Sequence, residues 1–390
     1  MRPSAVLHWP WAALGWGSFI VLHGHAVTVT YALPALLCGL AVAGLLGQVD
    51  FSRRPSALEF GMLGFGLAWL IAATFALDPQ RALSLSVPAA IALLGALVLP
   101  RAHARHPGEA FESTVLALTV LGLGACLQVL LALPADRPEQ LVYAVALPWL
   151  VVPNDLAWMG CLWPLWWRWS RARKESDGWR VGSVLALSLL LAAALIVLQS
   201  RLGLLVLVLA VSTELSSRSR QRRLAVVGAG AIALGVLLLS AWLVPGVFEK
   251  SMDSAGARLQ LWQAAWGLFV EHPGLGVGPH GFVTAYPEAL GSGGLFQQGL
   301  IDPRLTPWPH SLPLEILCSG GLLLALASVK LIALLSRAPQ GSLPAAVWGS
   351  FVLVCLVEAS TLRLWFWFWF VLIALPPVSR RAFVPLRLTE

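Results

Sequence analysis

The chain has 390 residues, length enough for two or three soluble domains, but 58% of them are apolar and only 12% charged. Together with a mean hydropathy of +0.78, this excludes a soluble globular protein and leaves an all-α, polytopic membrane protein. The net charge of +7 lies in short basic runs between apolar segments rather than along one surface, so membrane orientation accounts for it and nucleic acid is not an expected partner.

A helix needs about 20 apolar residues to cross the hydrocarbon, and the chain supplies about twelve stretches near that length. They centre on Trp16, Leu37, Leu67, Leu93, Leu121, Cys161, Ala192, Val208, Leu234, Leu323, Val352 and Phe370. The first is read as a retained helix, since no cleavage signature follows it. With the N-terminus placed in the cytoplasm, 18 of the 26 basic residues fall in loops predicted inside, among them Arg53, Arg54, Arg168, Arg171, Arg218 and Arg380. Seven fall outside: Arg81, Arg137, Arg201, Lys250, Arg258, Arg304 and Arg363. Lys330 is near the inner end of its helix. The asymmetry puts both termini inside, and the outer cations need a separate reason.

Two outer segments are longer than a turn. The first, residues 134–155, holds an apolar run broken by Pro148 and Pro153, too short to span and read as re-entrant or interfacial; it ends in Pro153-Asn154-Asp155. The second divides the chain into N-terminal spans (1–243), a large outer loop (244–309) and C-terminal spans with a short tail (310–390). Within the loop, Leu261, Ala265, Leu268 and Phe269 recur at helical spacing beside Trp262 and Trp266. This predicts an amphipathic helix over 257–271, with Ser254 as its upstream cap and Pro273-Gly274 closing it. The run Gly276, Gly278, Gly281 formally reads G-x-G-x-x-G. No strand precedes it, so a tight turn is expected and a dinucleotide site is not.

Three residues stand out chemically. Arg201 follows Gln199-Ser200 at an outer helix mouth, where an arginine is either a snorkelling anchor or a fixed cation for an anionic substrate. Arg258 opens the amphipathic helix as a face charge or a second such cation. His310 precedes a span whose Pro313 falls in the first turn, so its ring faces the positive end of a helix, a setting suited to a neutral proton acceptor; the alternative is an interfacial histidine bonded to a carbonyl. His280 and His272 are weaker candidates. The cysteines Cys38, Cys126, Cys161, Cys318 and Cys355 lie in apolar stretches without metal-ligand spacing, and no His pair shares a helical face with a carboxylate, so neither metal nor cofactor is expected. The 19 tryptophans suit an interfacial girdle or contact with sugar rings.

Taken in order, these pieces resemble the O-antigen ligase and polymerase (Wzy-C) superfamily of bacterial envelope glycosyltransferases. The resemblance rests on Pro153-Asn154-Asp155-Leu156-Ala157, on Ser200-Arg201, on Arg258 with Trp262, on the run from Pro273 to Phe282, and on His310-Ser311-Leu312-Pro313-Leu314-Glu315 followed by Gly320-Gly321. Ser311 stands where the family pattern has Asn.

The resemblance implies a glycosyltransferase C-type membrane fold in the bacterial inner membrane with a periplasmic active site. It implies transfer of a glycan from undecaprenyl diphosphate to an acceptor hydroxyl, with ligation of O-antigen to lipid A-core favoured over a glycan repeat or a protein acceptor. In that reading His310 is the base, and Arg201 and Arg258 hold the diphosphate. Ser200, Trp262, Gly276, Gly278, His280, Glu315 and Asn154 line the substrate. A flippase of lipid-linked saccharides would also want cations and many helices, but would place them near the bilayer midplane rather than at the outer mouth. A peptidoglycan polymerase is disfavoured because its acidic outer-loop motif is not found.

The topology has a direct test. A cysteine introduced by Ser292→Cys is expected to react with an impermeant maleimide from the outside of intact cells. Reaction only after permeabilisation would invert the orientation and remove the outer-face chemistry with it.

Overall fold

The computed structural model describes residues 54–86, scattered positions between 89 and 130, 156–170, 178–198, 200–216, 247–289, 308–337, 345–357, and single positions at 366, 369 and 372. The expected spans about Trp16, Leu37 and Leu234, the outer segment 134–155 with Asn154, and the C-terminal tail lie outside them. The described residues form helices and no strand. In chain order the helices are α1 (Ala57–Thr74), α2 (Pro79–Leu85), α3 (Ala157–Gly160), α4 (Trp163–Ser170), α5 (Gly178–Val197), α6 (Arg201–Ser216), α7 (Val247–Glu271), α8 (Phe282–Ala289), α9 (Leu312–Arg337) and α10 (Ala345–Val357). Two are long and apolar enough to cross a membrane, α1 and the Leu312–Leu335 part of α9.

Local sequence sets these ends. Ser56 and Glu59 form a capping box at the start of α1, the Ser56 hydroxyl accepting from the Glu59 N–H at 3.2 Å. Asp78 accepts from the Arg81 N–H at 3.0 Å in front of α2, where Pro79 at the first position loses no helical bond. The span expected about Cys161 is two short helices. Pro164 has no N–H to continue the ladder across the junction, and the Cys161 and Leu162 amides instead turn tightly onto Trp158 and Met159. The helix expected over 257–271 is longer, because the nearest breakers upstream are Pro245-Gly246. It therefore starts at Val247, and Ser254 sits inside it rather than capping it.

One apolar core joins α1, α3 to α6, α9 and α10, with Met159, Leu191, Leu195, Val206, Leu324 and Val354 essentially inaccessible. The α4 and α6 helices run in the same direction. Gly160 meets the backbone of Leu207, so closely that a Cβ would lie 3.1 Å from its nitrogen, and two turns on Arg168 makes a bidentate ion pair with buried Glu214, 3.0 Å for each bond. By contrast α1 and α9 are antiparallel. Gly61, near the start of α1, faces Leu331 and Leu334 near the end of α9.

At the other end of that pair a smaller core sits between α7, α8 and α9, built from Leu261, Ala265, Leu268, Val277, Phe282, Tyr286 and Cys318. The segment joining α7 to α8 is keyed into α9. At Gly321 the helix breaks, with φ 57° and ψ −154°, and the backbone of residues 273–277 fills the gap. The Val277 N–H donates to the Cys318 carbonyl (2.8 Å), Leu322 N–H to Pro273 (2.8 Å) and Leu323 N–H to Gly274 (3.2 Å). Buried backbone groups must be paired, and here the loop supplies the partners that the broken ladder lost.

Two positions permit this. Gly321 adopts positive φ with a Cβ position 2.5 Å from Gly274, and Gly276, at φ 67°, lies against the backbone of Cys318 to Gly320. Gly321→Ala and Gly276→Ala are each expected to lower stability by about 1–3 kcal/mol, through positive-φ strain and backbone collision. Gly267→Ala in α7, whose Cβ would meet nothing within 4 Å, is expected to be neutral or to stabilise by about 0.5–1 kcal/mol. Thermal unfolding in detergent checks this, and equal melting of all three would mean the loop is not seated in the helix break.

Candidate functional site

The keyed loop brings several of the sequence candidates to one end of the bundle. Past Gly276 the chain crosses to the end of α1. The Leu77 N–H donates to the Val277 carbonyl at 3.1 Å, and Gly278, at φ 93°, packs on Ala76 with no room for a Cβ. The expected tight turn is present; Gly276 and Gly278 are accounted for by close approach to α9 and α1, and Gly281 by the Val277 and Gly278 carbonyls within the turn. His280 follows at φ 63°, buried, with its ring edge-on to Trp69 at 6.1 Å. Trp69 is fixed in turn by donating from its indole N–H to the Ser86 hydroxyl at 2.8 Å.

His310 lies in front of α9. The Glu315 N–H donates to the Ser311 carbonyl, so Ser311 is the capping residue, Leu312 the first helical one and Pro313 in the first turn, as the sequence reading requires. His310 is half-buried at φ 52°, and its ring lies 4.7 Å from that of fully buried Trp308. Among the described residues, the non-glycine positions with positive φ are His280 and His310. Such a backbone costs of order 1 kcal/mol or more and persists only where the surroundings hold it, which is common at working sites. Glu315, in the first turn of α9, is buried, and its carbonyl is within 3.5 Å of the Cys318 thiol, which donates to it.

Arg258, on α7, donates from Nη1 to the Val357 carbonyl at 2.9 Å. Val357 is the last described residue of α10, and the guanidinium ties α7 to that helix. Sequence reading offered face charge or substrate cation; the structure adds an anchoring contact 99 residues away in sequence. Trp262 is one turn further along α7, half-buried, with an indole nitrogen that is buried and unbonded among the described residues. The remaining face of α7 is not a water-facing one, since Leu259, Trp266 and Val270 are all more than half exposed. That pattern suits a helix lying at a membrane interface.

Arg201 is exposed at the first position of α6, which packs along α10. Ser200 is buried behind it and caps the helix: its hydroxyl accepts from the Gly203 N–H at 3.2 Å, and its carbonyl from Leu204 at 3.0 Å. The tight turn from α5 to α6 thus holds Arg201 at the helix mouth. Sequence reading missed the partners that fix these groups: Trp69 for His280, Val357 for Arg258, and the Arg168–Glu214 pair at the far end of α6. None carries a local signal, because each joins segments distant in the chain. Among the described residues no cluster of His, Cys, Asp or Glu is arranged to hold a metal.

Residues 186–329 match a family model described as O-antigen ligase. The match over these residues supports the O-antigen ligase and polymerase superfamily. Proteins of that superfamily are membrane proteins of glycosyltransferase type, acting on lipid-linked saccharides. The matched segment covers a little over a third of the chain and includes Ser200, Arg201, Arg258, Trp262, the keyed loop, His310 and Glu315; Asn154 lies before it. A search of curated proteins finds no match to the sequence.

Removing the Ser200 cap separates local structure from chemistry. Ser200→Ala is expected to destabilise the α6 start by about 1 kcal/mol, and Ser200→Asp, another capping residue, to restore most of it. Chemical or thermal unfolding reads the difference; equal stability in all three proteins would deny Ser200 its capping role.

Proposed function

We propose that the protein is a bacterial inner-membrane glycosyltransferase that moves a glycan from undecaprenyl diphosphate to an acceptor hydroxyl at the periplasmic face, with lipid A-core as the acceptor. About twelve spans carry it, both termini are cytoplasmic, and residues 244–309 are periplasmic. The observation that carries the reading is His310. It is a strained, half-buried histidine in front of a membrane-long helix, within the segment that matches the O-antigen ligase model.

The chemistry needs few parts. The acceptor oxygen attacks the anomeric carbon of the donor sugar, and its proton passes to the imidazole of His310. The bond from that carbon to the diphosphate oxygen breaks, and the lipid diphosphate leaves with the electron pair. It carries two to three negative charges, so in the absence of a divalent ion fixed cations must hold it, and guanidinium forks give bidentate phosphate contacts. Arg201 presents such a fork at the mouth of α6. Arg258 contributes a second while one of its nitrogens holds α7 to α10. Trp262 offers an indole N–H and a ring face to the saccharide.

The roles separate in kinetics. His310→Ala is expected to lower turnover by about 10²–10⁴-fold while the lipid-linked donor still binds, because the base acts on the acceptor proton. Arg201→Ala is expected to weaken donor binding and slow transfer together, with Arg201→Lys rescuing only in part. The measurement is donor affinity alongside turnover with lipid A-core for each folded variant. Unchanged turnover in His310→Ala removes it as the base and leaves His280 as the next candidate; full activity in Arg201→Ala returns that residue to an interfacial anchor.

A further inference from the structure

A second site lies away from the chemistry, on the outward face of α1 and α9. Between these helices runs an open apolar groove of about 290 Å³, floored by Gly61 and Gly64 and walled by Phe60, Leu67, Ile71 and Leu326, with Lys330 at one end. Its length follows from its lining. From Phe60 to Ile71 the helix rises about 16 Å at 1.5 Å per residue, close to half of a bilayer's hydrocarbon thickness of about 30 Å. It is therefore the length of one acyl chain in one leaflet.

Lys330 supplies the second observation. It is exposed, seven positions short of the end of α9, on a face that also exposes Leu322, Leu326, Val329 and Ile332. No salt bridge to it occurs among the described residues. An ammonium on such a face must reach an interface or an anion. The anion is not the glycan donor's diphosphate: Lys330 lies twenty residues along α9 from His310, about 30 Å at 1.5 Å per residue and somewhat less across the kink.

We propose that this groove binds one anionic phospholipid, its phosphate on the Lys330 ammonium and one acyl chain lying over Gly64. The proposal rests on α1 and α9 facing lipid but not on the assignment of His310 or the arginines. The lipid belongs to the leaflet opposite the chemistry and fills the space over Gly64, Gly61 being already covered by Leu334. Gly64 is suited to this use, since a Cβ there would meet nothing within 4 Å; the space is open to an outside occupant.

The test uses the full chain in nanodiscs of equal phosphatidylglycerol and phosphatidylcholine, with native mass spectrometry of the lipids retained after release into mild detergent. Wild type is expected to keep one phosphatidylglycerol per chain in preference to phosphatidylcholine. Lys330→Gln is expected to reduce that preference about fivefold, the contribution of one basic residue at an anionic surface, and Lys330→Arg to keep it. Gly64→Leu, whose Cβ meets nothing within 4 Å and whose side chain takes up groove space, is expected to lower retention of both lipids. Equal retention of the two lipids by wild type, or an undiminished preference in Lys330→Gln, overturns the proposal alone. If wild type retains neither lipid, the lipid-facing placement of α1 and α9 falls with it.

Discussion

Inside a bilayer a peptide group cannot turn to water for a partner, and that constraint organises the described part of this molecule. A helix that crosses the membrane unbroken satisfies it alone. The α9 helix does not, because Gly321 departs from helical geometry in its first half. The cost is removed by a second segment whose backbone enters the break, so that Cys318, Leu322 and Leu323 are bonded to residues 273–277 rather than to their own helix. The small core of α7, α8 and Cys318, the approach to the end of α1 at Gly278, and the seating of His280 all follow from that insertion.

Such a joint also fixes the geometry of a site without relying on long loops. His280 and His310 reach the same end of the α1–α9 pair by different routes, one on the inserted segment and one at the mouth of the helix that receives it. Each is held at positive φ beside an indole, Trp69 and Trp308 respectively. Residues arriving on independently packed elements keep their spacing when substrates come and go, since neither element can shift without breaking buried hydrogen bonds.

What the sequence disclosed follows from the range of the forces involved. Composition and apolar periodicity are local, so an all-helical membrane chain, the helix ending at Glu271, the turn at the glycines and the first-turn place of Pro313 were legible. Breaks in helices were legible less well. Pro164 divides the span about Cys161, and Val247, rather than the region of Ser254, starts α7, because tertiary packing and the nearest breaker decide a helix end more than a favourable capping residue does. The reason for Gly276, Gly278 and Gly321 was not visible at all: each is small because a backbone from elsewhere in the chain approaches it. Arg258 is similar. As sequence it is a charge on an amphipathic helix, and only the fold brings the Val357 carbonyl of α10 to its guanidinium.

The arrangement of charge along α6 draws these strands together. At one end Ser200 caps the helix and Arg201 stands exposed; at the other, Glu214 is buried and answered by both nitrogens of an Arg168 fork. A buried carboxylate is tolerable only when paired, so the far end is committed to structure. The near end is different, because a guanidinium at a helix N-terminus gains nothing from the dipole and is opposed by it. A snorkelling anchor is as well served by any position in the last turn before the interface, whereas a cation meant for phosphate gains from the neighbouring backbone N–H groups, which also favour an anion at that end. An anion arriving there meets helix dipole and arginine with the same sign of preference, and the placement of Arg201 at the first position of α6 is the one that joins them.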